Sequence, residues 1–195
     1  MKFDVIIIGA GSAGMQVASA LQKAGRKTAV IGLGRSINEV EVHPYERLGG
    51  TLLIGDSVTE GLFDGGCLKA VRTVNLGAYP LEAEHFVLAT GKFLGGGLVS
   101  DMEGIYEPLF GLDVDYDPDR SRWFRESFGA SQPFLRFGLK TDAKSRPSIG
   151  GRTVENLYAC GEILAGISAV DGQEAIAASA AKVIATLTEE SHAEA

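Results

Sequence analysis

The chain opens on Phe3 to Ile8, apolar at every position except Asp4, as a central parallel strand covered on both faces requires. Met15, Val17, Ala18, Leu21 and Ala24 then recur at helical spacing, predicting a helix from Ser12 to Ala24 that Gly25 closes. KTAVIG, ending at Gly32, predicts a second buried strand. Beyond Thr51 the pattern changes to short alternating segments, TLLIGDSVTEGLFDGG, CLKAVRTVN and PLEAEHFVLATG, divided by the turn signals DGG and NLGAYP. These predict a β-meander over about residues 50–85 that returns to the sheet through HFVLATG. FGLKTDAKSRPS predicts a hairpin turning near Asp142 to Ser145, NLYACGEILAG a further strand, and QEAIAASAAKVIATLTEE a closing helix from about Gln173.

Composition narrows the class. With 195 residues, 45% of them hydrophobic, the chain can bury a real core, and one domain over residues 1–190 with a frayed tail at 191–195 is expected. Lys and Arg number 18 against 25 Asp and Glu, a formal charge of -7 that repels nucleic acid and anionic membranes. No apolar run is long enough to span a bilayer, and the opening strand lacks the charged start and cleavage site of a signal peptide. A cytoplasmic protein without direct membrane insertion is the expectation. Cys67 and Cys160 belong to no CxxC or Cys/His cluster, so neither a disulfide framework nor a zinc site is expected.

The chemistry starts at GAGSAG, directly after the first strand. Gly9, Gly11 and Gly14 occupy the G-x-G-x-x-G positions, which allow a tight turn, the approach of a pyrophosphate to backbone, and close helix–strand packing. With Ser12 and Ala13 they place unpaired N–H groups and the positive end of a helix dipole where an anion would lie. The expected fold class is therefore α/β, a Rossmann-like FAD/NAD(P)-binding doubly wound parallel sheet with a β-meander crossover. One element is missing. Gly32 ends the second strand where an acid normally holds the adenosine ribose, so Gly34, Arg35 and Ser36 become the candidates for ribose or phosphate contacts. Arg35 also leaves an NADP-binding reductase fragment open.

The meander followed by Ala89, Thr90 and Gly91 is similar to flavoproteins with two dinucleotide-binding domains, in which such an ATG touches the nucleotide half of FAD. Lys92 adjoins it. The three glycines of KFLGGGL are either a flexible turn or a close approach to a ligand. Gly161 and Glu162 resemble the Y-A-x-G-[DE] that closes many FAD sites, where the acid binds the ribityl chain and the next helix points at the isoalloxazine. In that order the motifs favour FAD over NAD.

GKFLGGGLVSDMEGIYEPLFGLDV and FGASQPFLRFGLKTDAKSRPSIGGRTVENLYACGEILAG resemble the flavoprotein B-subunit of anaerobic glycerol-3-phosphate dehydrogenase, closely over Leu88 to Gly166 and more generally over Met1 to Ser36. The resemblance implies that the glycine at position 32 is a family trait. It also implies a flavin-carrying subunit that pairs with a larger subunit and reaches the membrane through an iron–sulfur subunit, passing electrons from glycerol 3-phosphate towards quinone. FMN is an alternative flavin, although it has no pyrophosphate for the glycines to cradle; a homo-oligomer is also open. The family carries a large insertion between the second strand and the meander, where this chain has only Ile37 to Thr51, and an Asp-Pro pair after Gly166, where it has ISAVDGQEA. A shortened member lacking the substrate cap is implied. A flavin-binding scaffold or redox sensor without turnover is the alternative from another class.

Catalytic residues are not assigned. His43, with Tyr45 and Arg47 nearby, lies in the segment replacing the insertion and is set against plain surface; His85 reads as a strand-edge residue, and His192 as tail. Arg120, Arg122 and Arg125 around Trp123 suit either an anion or partner contact or a solvated segment with internal ion pairs. Exposure of Tyr106, Phe110 and Trp123 would favour a docking partner.

Overall fold

The structure, a computed structural model, describes residues 2–34, 39–127, 129–168, 170 and 172–193. Its frame is a seven-stranded sheet in the order β3-β2-β1-β6-β5-β4, formed by β1 (Lys2–Ile8), β2 (Thr28–Gly32), β3 (Thr51–Ile54), β4 (Val58–Asp64), β5 (Cys67–Thr73) and β6 (Leu81–Leu88), with β13 (Leu157–Ala159) beside β6. Strands β3, β2, β1, β6 and β13 run parallel, and β4 and β5 run antiparallel. The far edge of β6 is shared: Leu81 and Glu82 pair with β5, whereas Phe86 to Leu88 pair with β13.

This arrangement refines the expected meander. Thr51–Ile54, expected within it, instead lies parallel to β2 in the register Ala29↔Thr51 to Gly32↔Ile54. The antiparallel part begins only at Val58. Gly55, at φ +78, separates the two, and its N–H donates to Gly32 O at 2.8 Å.

Alternation along β1 sends Val5 and Ile7 to one face and Ile6 and Ile8 to the other, and all four are buried. The first face is covered by α1 (Ser12–Lys23), α2 (Glu39–Arg47) and α3 (Gln173–Ala193), through Met15, Val17, Leu21, Tyr45, Ile176 and Val183. Among the described residues the second cover contains no α-helix. It includes three small ribbons, β7 (Val99–Ser100) with β8 (Ile105–Tyr106), β9 (Val114–Asp115) with β10 (Gly138–Leu139), and β11 (Ser148–Ile149) with β12 (Arg152–Thr153), together with short 3-10 turns at Arg120–Arg122 and Pro133–Arg136. Phe110, Trp123, Phe137 and Leu139 fill that side, and Tyr116, Trp123 and Phe137 meet edge to face with centroids 6.0–6.4 Å apart.

The expected hairpin is present: Thr141 bridges Pro147, and Asp142 Oδ1 accepts from the N–H groups of Lys144 and Arg146. The closing helix starts at Gln173 as expected but runs to Ala193, so residues 191–193 continue it instead of forming a tail. Near its end Glu190 accepts from Tyr158 Oη at 2.5 Å and from Lys144 Nζ at 3.1 Å, fastening the helix to the sheet. Burial alone would raise the Glu190 pKa, but these two donors outweigh it and hold the carboxyl below its ordinary value. A carboxylate with a depressed folded pKa contributes stability above its unfolded pKa, about 4.3 for Glu, and loses it as pH falls through the folded value. In urea melts, Glu190→Gln should therefore be less stable than the parent at pH 7, and the gap should close on acidification below about pH 4. A gap independent of pH would show that the carboxylate charge is not what fastens the helix.

Candidate flavin site

A cleft of about 810 Å³ lies across the C-terminal ends of the parallel strands, within the range of small-molecule sites. Its floor is Gly9 to Ala13, where β1 hands over to α1. Helix α1 has Gly11 as its N-cap without a side-chain cap bond, and no acid in its first turn. The first-turn N–H groups and helix dipole are thus left to an anion.

The glycines there are sterically required. A Cβ on Gly14 would stand 1.9 Å from Gly9 O, and one on Gly9, already at φ +118, would stand 2.3 Å from Ala89 O. The first and third glycines therefore press α1 against β1 and β1 against the end of β6. This close approach explains why Ala89, Thr90 and Gly91 line the same cleft. Thr90 lines the cleft, but its Oγ1 is buried without a hydrogen-bond partner against Gly97, where an added Cβ would stand 2.5 Å from it. The glycine run after it is packed rather than loose, because a Cβ on Gly95 would meet Thr90 O at 2.0 Å and one on Gly97 would meet Gly91 O at 2.0 Å.

At the other end, β13 delivers Gly161 and Glu162 into the cleft, and Gln173 and Ile176 at the start of α3 also line it. Gly161, at φ +82, donates its N–H to Ser179 Oγ at 2.8 Å, and a Cβ on it would stand 2.9 Å from Ala13 Cβ. The two motifs, remote in sequence, are thus brought into contact.

Of the sequence candidates, Gly9, Gly11, Ser12, Ala13, Gly34, Ala89, Thr90, Gly91, Gly161 and Glu162 line the cleft, and Gly14 acts through packing beneath it. Arg35 and Ser36 lie outside the described residues. Lys92 is a correction. It is buried, does not line the cleft, and donates from Nζ to Leu135 O and Ile167 O, each at 2.5 Å. An ammonium has only three donors, and a buried one is held where backbone carbonyls compensate its desolvation.

The His43 group does not assemble. His43 is exposed beside Glu46, whereas Tyr45 turns into the core, shares a 2.8 Å hydrogen bond with Thr28 and has its pKa pushed up to about 12 by burial. Arg122 pairs with Asp117 and Asp119, and Arg120 lies over Trp123, so the arginine segment matches the ion-paired reading. Phe110 and Trp123 are buried and only Tyr106 is exposed, which removes most of the apolar face considered for docking. Cys67 and Cys160 are free thiols, the latter fully buried with its pKa pushed up to about 12 by desolvation.

Two acids escape sequence reasoning. Asp56 and Glu107 both line the cleft and both are almost fully buried. Burial raises the Glu107 pKa, partly offset by the N–H groups of Phe110, Leu109 and Leu112 that its carboxylate gathers. Its acid organises the turn of EPLFGLD in the cleft wall, although that segment marks only a resemblance in the sequence.

A mainly parallel sheet with a glycine cradle on its first turn, facing a second glycine turn across an elongated cleft, defines a Rossmann-type dinucleotide-binding protein of the flavoprotein class. The chain belongs to the FAD binding domain family, whose model matches residues 47–177. It is similar to the anaerobic glycerol-3-phosphate dehydrogenase B-subunit of Vibrio cholerae strain M66-2, 43% identical over 140 residues, which are 71% of this chain and 32% of that protein. The corresponding Yersinia pestis protein is 37% identical over 69% of this chain and 32% of its own length. The matched stretch thus spans about a third of these relatives. Among solved structures, thioredoxin reductase from Streptococcus pyogenes superposes with a TM-score of 0.59 at 11% identity, covering 98% of this chain and 99% of the other. Thermovibrio ammonificans THI4 superposes at 0.58 and 14% identity, covering 98% and 90%. Both likenesses concern the fold.

FAD fits the residues present. The open α1 N-terminus and glycine cradle suit its pyrophosphate. FMN would leave the cradle unused.

Proposed function

We propose that the chain is the flavin-carrying part of an oxidoreductase related to the glycerol-3-phosphate dehydrogenase flavoprotein, relaying electrons from glycerol 3-phosphate or a similar substrate towards quinone, with partner subunits completing the complex. The observation that carries this reading is the continuity of the cleft from the α1 cradle to Glu162 and the start of α3. Bound FAD would supply the two-electron acceptor. The chain's own residues would cradle its pyrophosphate at Gly9 to Gly14, flank it with Ala89 to Gly91, and meet its ring end with Gly161, Glu162 and Gln173. Among the described residues no helix is long and apolar enough to cross a membrane. Delivery to quinone would be the work of a partner subunit.

One observation favours the second reading, a flavin-binding scaffold or redox sensor without turnover. The described cleft lining includes Asp56, Glu107 and Glu162 but no Lys, Arg or His, whereas the phosphate of such a substrate calls for cations. The two readings separate in a single anaerobic cuvette. The purified protein should be yellow and release FAD near one per chain on heating, and glycerol 3-phosphate should bleach its visible band, with a quinone analogue restoring it. A yellow protein that stays oxidised with substrate, even with its partner subunits present, would leave the scaffold reading. A colourless protein that does not take up FAD would overturn both.

A further inference from the structure

We infer that Asp56 takes over the role of the acid missing from the end of β2 and accepts the hydroxyls of the adenosine ribose. This rests on the FAD reading of the cleft and specifies how its adenosine end is held. Gly32 stands at the end of β2, where a carboxylate would normally bind the ribose, but a Cβ there would lie 2.9 Å from Ala10 Cβ and 3.1 Å from Ala10 N. Ala10 belongs to the cradle itself, so an acid at position 32 would press on the pyrophosphate turn.

The neighbouring strand supplies the charge instead. β3 lies parallel to β2 with Ile54 opposite Gly32, and Asp56 follows two residues later, past the Gly55 turn. Asp56 lines the same cleft as Gly32, Leu33 and Gly34 and is 3% exposed. Its carboxylate is held in place through one oxygen: Oδ1 accepts from Ser57 N–H at 2.8 Å and Asn75 N–H at 3.0 Å. Both hydrogen bonds fall on Oδ1, leaving Oδ2 as an acceptor for a ligand hydroxyl. A carboxylate nearly withdrawn from water and fixed by two backbone donors is preorganised to accept.

The test is calorimetric and independent of turnover. The flavin-free 195-residue chain is titrated with FAD, ADP, 2′-deoxy-ADP and 3′-deoxy-ADP, and so is Asp56→Asn, which retains Oδ1 for Ser57 and Asn75. The parent chain should bind ADP about 10- to 100-fold more tightly than at least one deoxy analogue, the scale of a hydrogen bond to a charged group. Asp56→Asn should lose most of that preference while its thermal midpoint stays near the parent's. The comparison among ligands on the parent chain stands even if the variant folds poorly. Equal binding of ADP and both deoxy analogues, or an unchanged preference in a folded Asp56→Asn, would overturn the role of Asp56 and leave the FAD reading standing. Failure of the parent to bind either FAD or ADP would overturn that reading, and this inference with it.

Discussion

Gly14→Ala should weaken FAD binding by more than about 100-fold, a loss on the scale of several charge-assisted hydrogen bonds. The added methyl is small, but its carbon would fall 1.9 Å from Gly9 O, and a backbone carbonyl has no rotamer by which to escape. Relief requires α1 to move off β1. That movement displaces the helix N-terminus, whose open N–H groups form the anion site. Gly25→Ala is the matched control. Gly25 ends the same helix region at φ +84 with no atom within 4 Å of a built Cβ, so alanine there costs about 1 kcal/mol of backbone strain without touching the cradle. Titration with FAD should separate the two variants, and thermal melts of the flavin-free proteins should show how far each loss is one of folding. Parent-like FAD affinity in Gly14→Ala would mean that the cradle is not the pyrophosphate site.

Legibility in the sequence follows the range of the interactions involved. β1, α1 and β2 were readable because local burial writes their patterns and the glycine motif fixes where strand becomes helix; α1 does begin at Ser12. Pairing partners were less so. TLLI has the same composition whether it joins a meander or lies parallel to β2, and nothing within the segment names its neighbour. The second cover of the sheet was obscured for a related reason, since its two-residue ribbons are too short to write a period.

The site divides along the same line. Its glycines were found because close approach demands glycine at fixed spacing. Lys92 was misplaced because the carbonyls that hold it belong to Leu135 and Ile167, far along the chain. Asp56 follows a glycine in GD, which reads as an ordinary turn, and its place beside the cradle emerges only when Gly32, on the adjacent strand, is seen packed against Ala10 of the glycine turn. The one local hint was the missing acid, which says that another group is needed but not where.

Asn156→Ala should destabilise the chain by about 3 kcal/mol, the scale expected when the N–H and C=O of the buried Leu68 both lose their partner. Its side chain joins the strands at the point where the edge of β6 passes from β5 to β13. Oδ1 accepts from Leu68 N–H at 2.9 Å, while Nδ2 donates to Leu68 O at 2.7 Å and to Glu84 O at 2.8 Å. Leu68 is fully buried, so water cannot readily replace the amide. Asn156→Asp distinguishes bonding from size: it retains an acceptor for Leu68 N–H but loses both donors and turns a carboxylate towards two carbonyls, so it should be at least as damaging as alanine near neutral pH. Urea unfolding monitored by Trp123 fluorescence measures both. Because β13 leads directly into Gly161 and Glu162, FAD affinity should fall along with stability, and saturating FAD should recover part of the lost midpoint by mass action. A parent-like midpoint for Asn156→Ala would show that the backbone ladder alone holds β13 against β6, leaving this amide no part in setting the ring end of the cleft.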